Sequence, residues 1–375
     1  MPYSLPDHGP ATTSGRAPAL VYDVGGSHIS AAICDPRTFT LHGISRAPLP
    51  TLPEATQGTG HFSAASFGRL IHALGEAAAN TANISLANLA GASIAMPGPF
   101  DYAHGISRMR HKLPALFGVD LKSALAARFG WQPSQIRFVN DAAAFLLGEM
   151  GAGAAKGYHR AIGITLGTGV GCAYALDNGS GVRIITDGSE GVPPGGEIWN
   201  LPYNGATVED FISTRFLRQQ FQLSPSQSIE TTAEVAEIAR IASNGHQNCP
   251  DLDPVIDPII EPTLDDVLAG RSSKPLDSTD PADPNSPHCR ARRAFQVFGR
   301  HLGLVLNQHA AAFAPDVIVL GGGISRAAPL FLPATRKAIA GFSPKIALSA
   351  LMNEAPLTGA GVHWFAAQAQ EAPLT

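Results

Sequence analysis

Residues 21–35, VYDVGGSHISAAICD, set an aspartate, two glycines and a serine between two apolar runs. The runs ALVYDV (19–24) and HISAAIC (28–34) read as strands, and Gly-Gly-Ser between them as the turn of a hairpin. A third run, LHGISRAPL (41–49), extends the pair into an antiparallel meander. A buried strand disfavours the charge of Asp23, so the charge needs a reason. Glycine turns expose backbone N–H groups and let an anion approach without a Cβ in the way. If phosphates bind at Gly25, Gly26 and Ser27, Asp23 is explained as the carboxylate that holds a hydrated Mg2+ between itself and them.

Outward from this stretch, FGRLIHALGEAAAN repeats apolar residues at helical spacing (Phe67, Leu70, Ile71, Leu74), and GASIAMPG returns to strand. VDLKSALAARF (119–129) then predicts a helix and IRFVN a strand, so the first 140 residues read β-β-β-α-β-α-β. From Asp141 the order begins again. A helix (AAAFLLGEM) leads to RAIGITLGTGVGCAYALD, again strand, Gly-rich turn and strand, which marks a candidate internal duplication. Two amphipathic helices are expected at VEDFISTRFLRQQF and TTAEVAEIARIA. Residues 248–287, dense in Pro, Asp and Ser, read as a surface insertion or mobile loop. A long helix resumes at RRAFQVFGRHLGLVLNQHAAAF and runs into the strand DVIVL and the turn GGGIS.

At 375 residues the chain favours two domains with a cleft between them. With 45% hydrophobic and 15% charged residues it has ample material for a core. A net charge of -4 and a pI near 6.3 supply no basic surplus for nucleic acid or an anionic membrane, and favour a small neutral or anionic ligand. The four cysteines, Cys34, Cys172, Cys249 and Cys289, lie far apart without a CxxC pair and read as buried or incidental thiols. The first 18 residues hold no apolar run of signal-peptide length, and no stretch approaches the roughly 20 apolar residues a membrane helix needs, so a cytoplasmic location is expected. That leader is also too short for a winged-helix DNA-binding domain.

Three glycine turns follow strands: Gly25-Gly26-Ser27, Gly167-Thr168-Gly169 and Gly321-Gly322-Gly323. One alone reads equally as a hairpin turn; three in this order point to phosphate binding, with Ser27 and Thr168 adding hydroxyl donors. Asn140-Asp141 stands at a strand's end and a helix's start. There Asp141 serves either as an N-cap or as the base that takes a proton from a hydroxyl attacking a phosphoryl group, and the two roles are compatible. GGEIWNLPYNGATVED (195–210) gathers Glu197, Trp199, Asn200, Tyr203 and Glu209 in one loop. That set suits the vicinal hydroxyls and apolar face of a sugar, or else forms a solvated loop whose Glu209 and Asp210 complement the dipole of the next helix.

DVGGSHISAAICD, IAMPGPFD, VNDAAAFLLGE, ITLGTGVGCAYALD, GGEIWN and PDVIVLGGGIS resemble, in order and spacing, the ROK family of sugar kinases and repressors within the actin/hexokinase-like superfamily. The resemblance runs from about Ala19 to Ala367 and omits the Pro-rich insertion. It implies an α/β chain of two RNase H-like domains closing on a sugar. The small N-terminal domain would comprise 19–140, completed by a C-terminal helix at about 357–370, and the large ATP-binding domain 141–356. It also implies that Asp23, Gly25, Gly26 and Ser27 form the first phosphate segment, Gly167, Thr168 and Gly169 the second, and Gly321, Gly322 and Gly323 the adenosine segment. Asp141 matches the catalytic base, Glu197 and Glu209 the sugar-hydroxyl ligands, and Gly98 and Asn140 fall in the substrate-binding motifs. Two departures stand out. Asn200 occupies the place of a usual histidine, and LPYNGATVEDF lacks the cysteines of the family's zinc loop, so no zinc site is expected. A further sugar-binding position falls on His111 or Lys112. The resemblance implies ATP and Mg2+ as cofactors, a hexose 6-hydroxyl as acceptor and a possible homodimer. Its rivals are a non-catalytic sugar-binding regulator and a polyphosphate-dependent glucokinase.

Overall fold

The meander forms because its first two runs are apolar enough to be covered on both faces. The computed structural model describes residues 16–49, 63–110, 113–179, 181–221, 239, 240, 242 and 286–371. In it β1 (Ala19–Val24), β2 (His28–Cys34) and β3 (Leu41–Pro48) pair antiparallel in sequence order. Every β1 residue except Asp23 is buried, as expected of a central strand. β3 alternates half-buried and exposed residues and forms the sheet edge. Helix α1 (Ala64–Thr81) starts at Ser63, whose hydroxyl accepts from the Ser66 N–H in a capping box, and buries Phe67, Ile71 and Leu74 on this sheet. The chain then adds β4 (Ala92–Met96), a short hairpin of β5 (Phe100–Asp101) and β6 (Ile106–Ser107), helix α2 (Leu121–Phe129), and β7 (Ile136–Asn140). β4 lies parallel to β1 and β7 parallel to β4, giving the order β3-β2-β1-β4-β7.

Helix α3 (Asp141–Ala152) leads to the second sheet, through β8 (Arg160–Leu166), β9 (Val170–Asp177) and β10 (Val182–Ile184). A small hairpin, β11 (Pro202–Tyr203) and β12 (Ala206–Thr207), precedes α4 (Val208–Phe211) and α5 (Thr214–Phe221). Helix α6 (Pro287–His309), β13 (Val317–Gly321), α7 (Ala328–Ala338), β14 (Lys345–Leu348) and α8 (Ala355–Glu371) complete the described chain. The second sheet has the order β10-β9-β8-β13-β14, with three antiparallel strands followed by two parallel additions. The duplication suggested by the repeated strand-glycine-strand pattern is therefore present as a repeated topology.

Helices α3 and α8 lie between the two sheets. Their apolar residues share one core with Val21, Ala32 and Ala95 of the first sheet and Ala161, Ala173 and Val319 of the second. The two helices approach so closely that a Cβ on Gly359 would fall 1.7 Å from the Ala144 carbonyl oxygen, which only glycine allows. Glu149 is fully buried in α3, and its carboxylate accepts from the Ser349 hydroxyl (2.5 Å) and from the N–H groups of Ala154 (2.7 Å) and Leu351 (3.1 Å). A buried carboxyl group so surrounded by donors is satisfied, and it locks the end of α3 to the approach of α8.

Three sequence expectations need correction. VEDFISTRFLRQQF forms two helices rather than one, because Ile212 leaves the helical region (φ −129°, ψ 37°) and the Thr214 N–H donates to Gly167 O instead of continuing a helix. The long helix begins at Pro287, before RRAFQ, since Ser286 caps it by accepting from the Cys289 N–H and proline suits the first turn. Cys289 is disulfide-bonded, whereas Cys34 and Cys172 are the buried thiols expected. The leader up to residue 15, nearly all of TTAEVAEIARIA and the insertion up to residue 285 lie outside the described residues. Among the described residues no helix is long and apolar enough to cross a membrane.

Candidate active site

The parallel strands of the first sheet end together, and Asp23 lies in the row Ser30, Asp23, Ala95, Val139 across four strands. Ligands of such sheets gather beyond the carboxyl ends of the strands. Asp23 is pushed up to about 7, first by burial and then by the negative charge of Asp141, while Arg46 pulls the other way. Sequence reasoning had passed over Arg46. The signal was present, since antiparallel register places Arg46 opposite Ser30 and Ser30 opposite Asp23, all on one face. Just beyond, Gly26 and Ser27 are exposed, and the Ser27 hydroxyl lies 2.8 Å from His28 Nδ1.

The cap of α3 is Asn140, not Asp141. Asn140 has extended backbone, and its Oδ1 accepts from the Ala143 N–H at 3.0 Å. Asp141 is the first helical residue, and its Oδ1 accepts from the Ala142 N–H at 2.9 Å. Asn140 Nδ2 donates to the Tyr102 hydroxyl (3.0 Å), which donates to Met96 O (3.2 Å). Tyr102 is a second residue that sequence reasoning missed, because nothing in PFDY distinguishes a site tyrosine from a core one.

Gly98, Tyr102 and Glu197 converge. A Cβ on Gly98 would lie 3.5 Å from the Tyr102 hydroxyl and 3.9 Å from Glu197 Oε1. Glu197 Oε2 accepts from Trp199 Nε1 at 2.6 Å, and Trp199 O accepts from the Glu209 N–H at 3.0 Å. The loop 197–209 is thus tied at both ends. Thr207 and Asp210 form the capping box of α4, so the helix start is served by Asp210. The Glu209 carboxylate turns to the second glycine turn, where Oε2 accepts from the Val170 N–H at 3.0 Å. Gly167 O accepts from both the Thr214 N–H (2.8 Å) and its hydroxyl (2.9 Å). The third turn is pressed onto the second: Gly322 has φ +81°, and a Cβ there would sit 2.3 Å from Leu166 O.

Asp141 is thus electrostatically coupled to both Asp23 and Tyr102, Tyr102 and Glu197 converge at Gly98, and Trp199 links Glu197 to Glu209, which reaches the turn at 167–169. Thr168 and Asn200 are exposed, and His111 and Lys112 lie outside the described residues. Asp23 fits a divalent cation, since a half-buried carboxylate repelled by the charge of a second one is relieved by positive charge, and Mg2+ needs few protein ligands because it keeps several waters. Among the described residues no group of three or more His, Cys, Asp or Glu could hold a metal ion.

Residues 21–253 match the model of the ROK family. A glucokinase from Thermotoga maritima is 27% identical over 286 residues, covering 71% of this chain and 76% of its own length. A ROK hexokinase from Thermus thermophilus aligns with a TM-score of 0.63 at 21% identity, over 94% of this chain and 99% of its own. A ROK family glucokinase from Streptomyces griseus, solved in complex with glucose and AMPPNP, gives 0.59 at 19% identity, over 92% and 98%. These likenesses establish the fold, an α/β actin-like ATPase and hexokinase architecture.

Proposed function

The chain belongs to the ROK family, and from that membership we propose that it is a sugar kinase that transfers the γ-phosphate of ATP to the 6-hydroxyl of glucose or a related hexose. The observation that carries the reading is the placement of Asp141 at the N-terminus of α3, its charge felt by both Asp23 and Tyr102, with Glu197 meeting Tyr102 at Gly98. A glucokinase 27% identical to this chain supports the substrate class, and the AMPPNP complex of a relative supports the donor.

In this mechanism Asn140, Glu197 and Gly98 hold the sugar, and Asp141 takes the proton of the attacking hydroxyl. The turns at 25–27 and 167–169 hold the phosphates, and the turn at 321–323 takes the adenosine. Asp23 would hold Mg2+, which when bound would supply positive charge to the transferring phosphoryl group. Phosphoryl transfer is mostly positioning and electrostatics, so the chain's part is to keep the base and the donors in place. The reading assigns 19–140 with the last helix to a small domain and 141–356 to a large one.

ADP release would be followed with Mg-ATP across glucose, mannose, fructose, allose, N-acetylglucosamine and N-acetylmannosamine. One hexose is expected to turn over, and Asp141→Asn to lower that turnover by about 10³-fold with sugar binding by calorimetry retained. Near-wild-type turnover in the variant rules out Asp141 as the base. Turnover with polyphosphate alone changes the donor, and sugar binding without turnover makes the protein a sensor.

A further inference from the structure

We propose that Tyr102 is a positioning residue that fixes the Asn140 carboxamide as a hydrogen-bond donor to the sugar, so that Tyr102 sets sugar affinity without being one of the ligands named above. The proposal rests on the sugar-kinase reading. A phenol carries one proton, and Tyr102 gives it to Met96 O at 3.2 Å. Its oxygen can then only accept, which requires the group 3.0 Å away to be Asn140 Nδ2. At the other end of the amide the Ala143 N–H at 3.0 Å requires an acceptor, which is Oδ1. Both ends of the amide are thereby specified independently, and the second N–H of Nδ2 remains as a donor of fixed direction beside Asp141.

The tyrosine is itself held. Its ring packs on Phe100 at 5.3 Å between centroids, and Phe100 on Phe138 at 5.0 Å. Burial, and then the charges of Asp141 and Glu197, push its phenol up against the opposing pull of the Asn140 hydrogen bond. The proton is therefore not lost in the working pH range. The hairpin of β5 and β6 is in this way coupled to the start of α3 by one hydroxyl, at the point where Gly98 and Glu197 Oε1 also converge.

The test is a double-mutant cycle with Tyr102→Phe and Asn140→Ser, read by calorimetry with glucose and the other five hexoses and, separately, by ADP release. Serine keeps the N-cap but is too short to meet Tyr102. Tyr102→Phe is expected to weaken sugar binding about tenfold, with the KM for ATP within about twofold of wild type. Adding it to Asn140→Ser should change nothing further, because the residue it acts through is gone. A sugar Kd unchanged in Tyr102→Phe, or losses that multiply in the double variant, would overturn the proposal. If the wild type binds a hexose but transfers no phosphate, the kinase reading falls while the binding cycle still decides the role of Tyr102. Absence of binding to all six sugars overturns both.

Discussion

The glycine turns of the two sheets occupy equivalent places between the first two strands of a repeated topology, yet they are held differently. Around Gly26 no heavy atom lies within 4 Å of where a Cβ would be, and the strand before the turn carries the charge of Asp23. Two residues before the second turn stands Thr165, and the turn itself is fastened from outside by Glu209 on Val170 and by Thr214 on Gly167. One copy is open and charged, the other braced. The repeat thus supplied two similar scaffolds, and the loop 197–214 made them unequal by clamping only the second.

Removing the charge from the open copy should have the largest effect. Asp23→Asn is expected to lower turnover by about 100-fold or more while stabilising the apo protein. The sign follows from the raised folded value of about 7. Between the unfolded value near 4 and that value the folded state holds a proton that the unfolded state has released, so wild-type stability falls as pH rises through this window. The variant escapes that loss. Urea midpoints should show its advantage widening from pH 5 to pH 8, to about 2 kcal/mol after allowance for partial solvation; equal midpoints at pH 8 would contradict it.

Gly169→Ala tests the braced copy. Its Cβ would lie 2.7 Å from Glu209 Oε2, displacing the carboxylate from Val170 at a cost of about 2 kcal/mol, measurable by chemical denaturation. Thr214→Val removes one of two donors to Gly167 O and should cost about 1 kcal/mol. Gly26→Ala is the counterpart in the open copy, with stability within about 0.5 kcal/mol of wild type but phosphate-donor KM raised. If Gly26→Ala were as destabilising as Gly169→Ala, the contrast between the turns would fail.

Much of the architecture was legible in the chain. Apolar runs punctuated by Gly-Gly-Ser and Gly-Thr-Gly specify strand pairs by local chemistry alone, whereas Ser63 and Ser286, whose side chains accept from nearby N–H groups, set helix starts earlier than the apolar spacing indicated. The break within VEDFISTRFLRQQF was not legible, because Thr214 is captured by Gly167, 47 residues earlier. Asn140 and Asp141 both suit an N-cap by type, and only the backbone at the end of β7 decides that Asn140 takes it.

The sequence by itself determined the strand runs, the repeated order of elements and the presence of glycine turns, since each depends on neighbours along the chain. Tertiary structure alone decided that Asp141 raises Asp23, that Glu209 braces the second turn and that Tyr102 meets Asn140. Those contacts join residues from 38 to 118 positions apart, through hydrogen bonds and charges that exist only once strand ends from separate parts of the chain are brought to one edge.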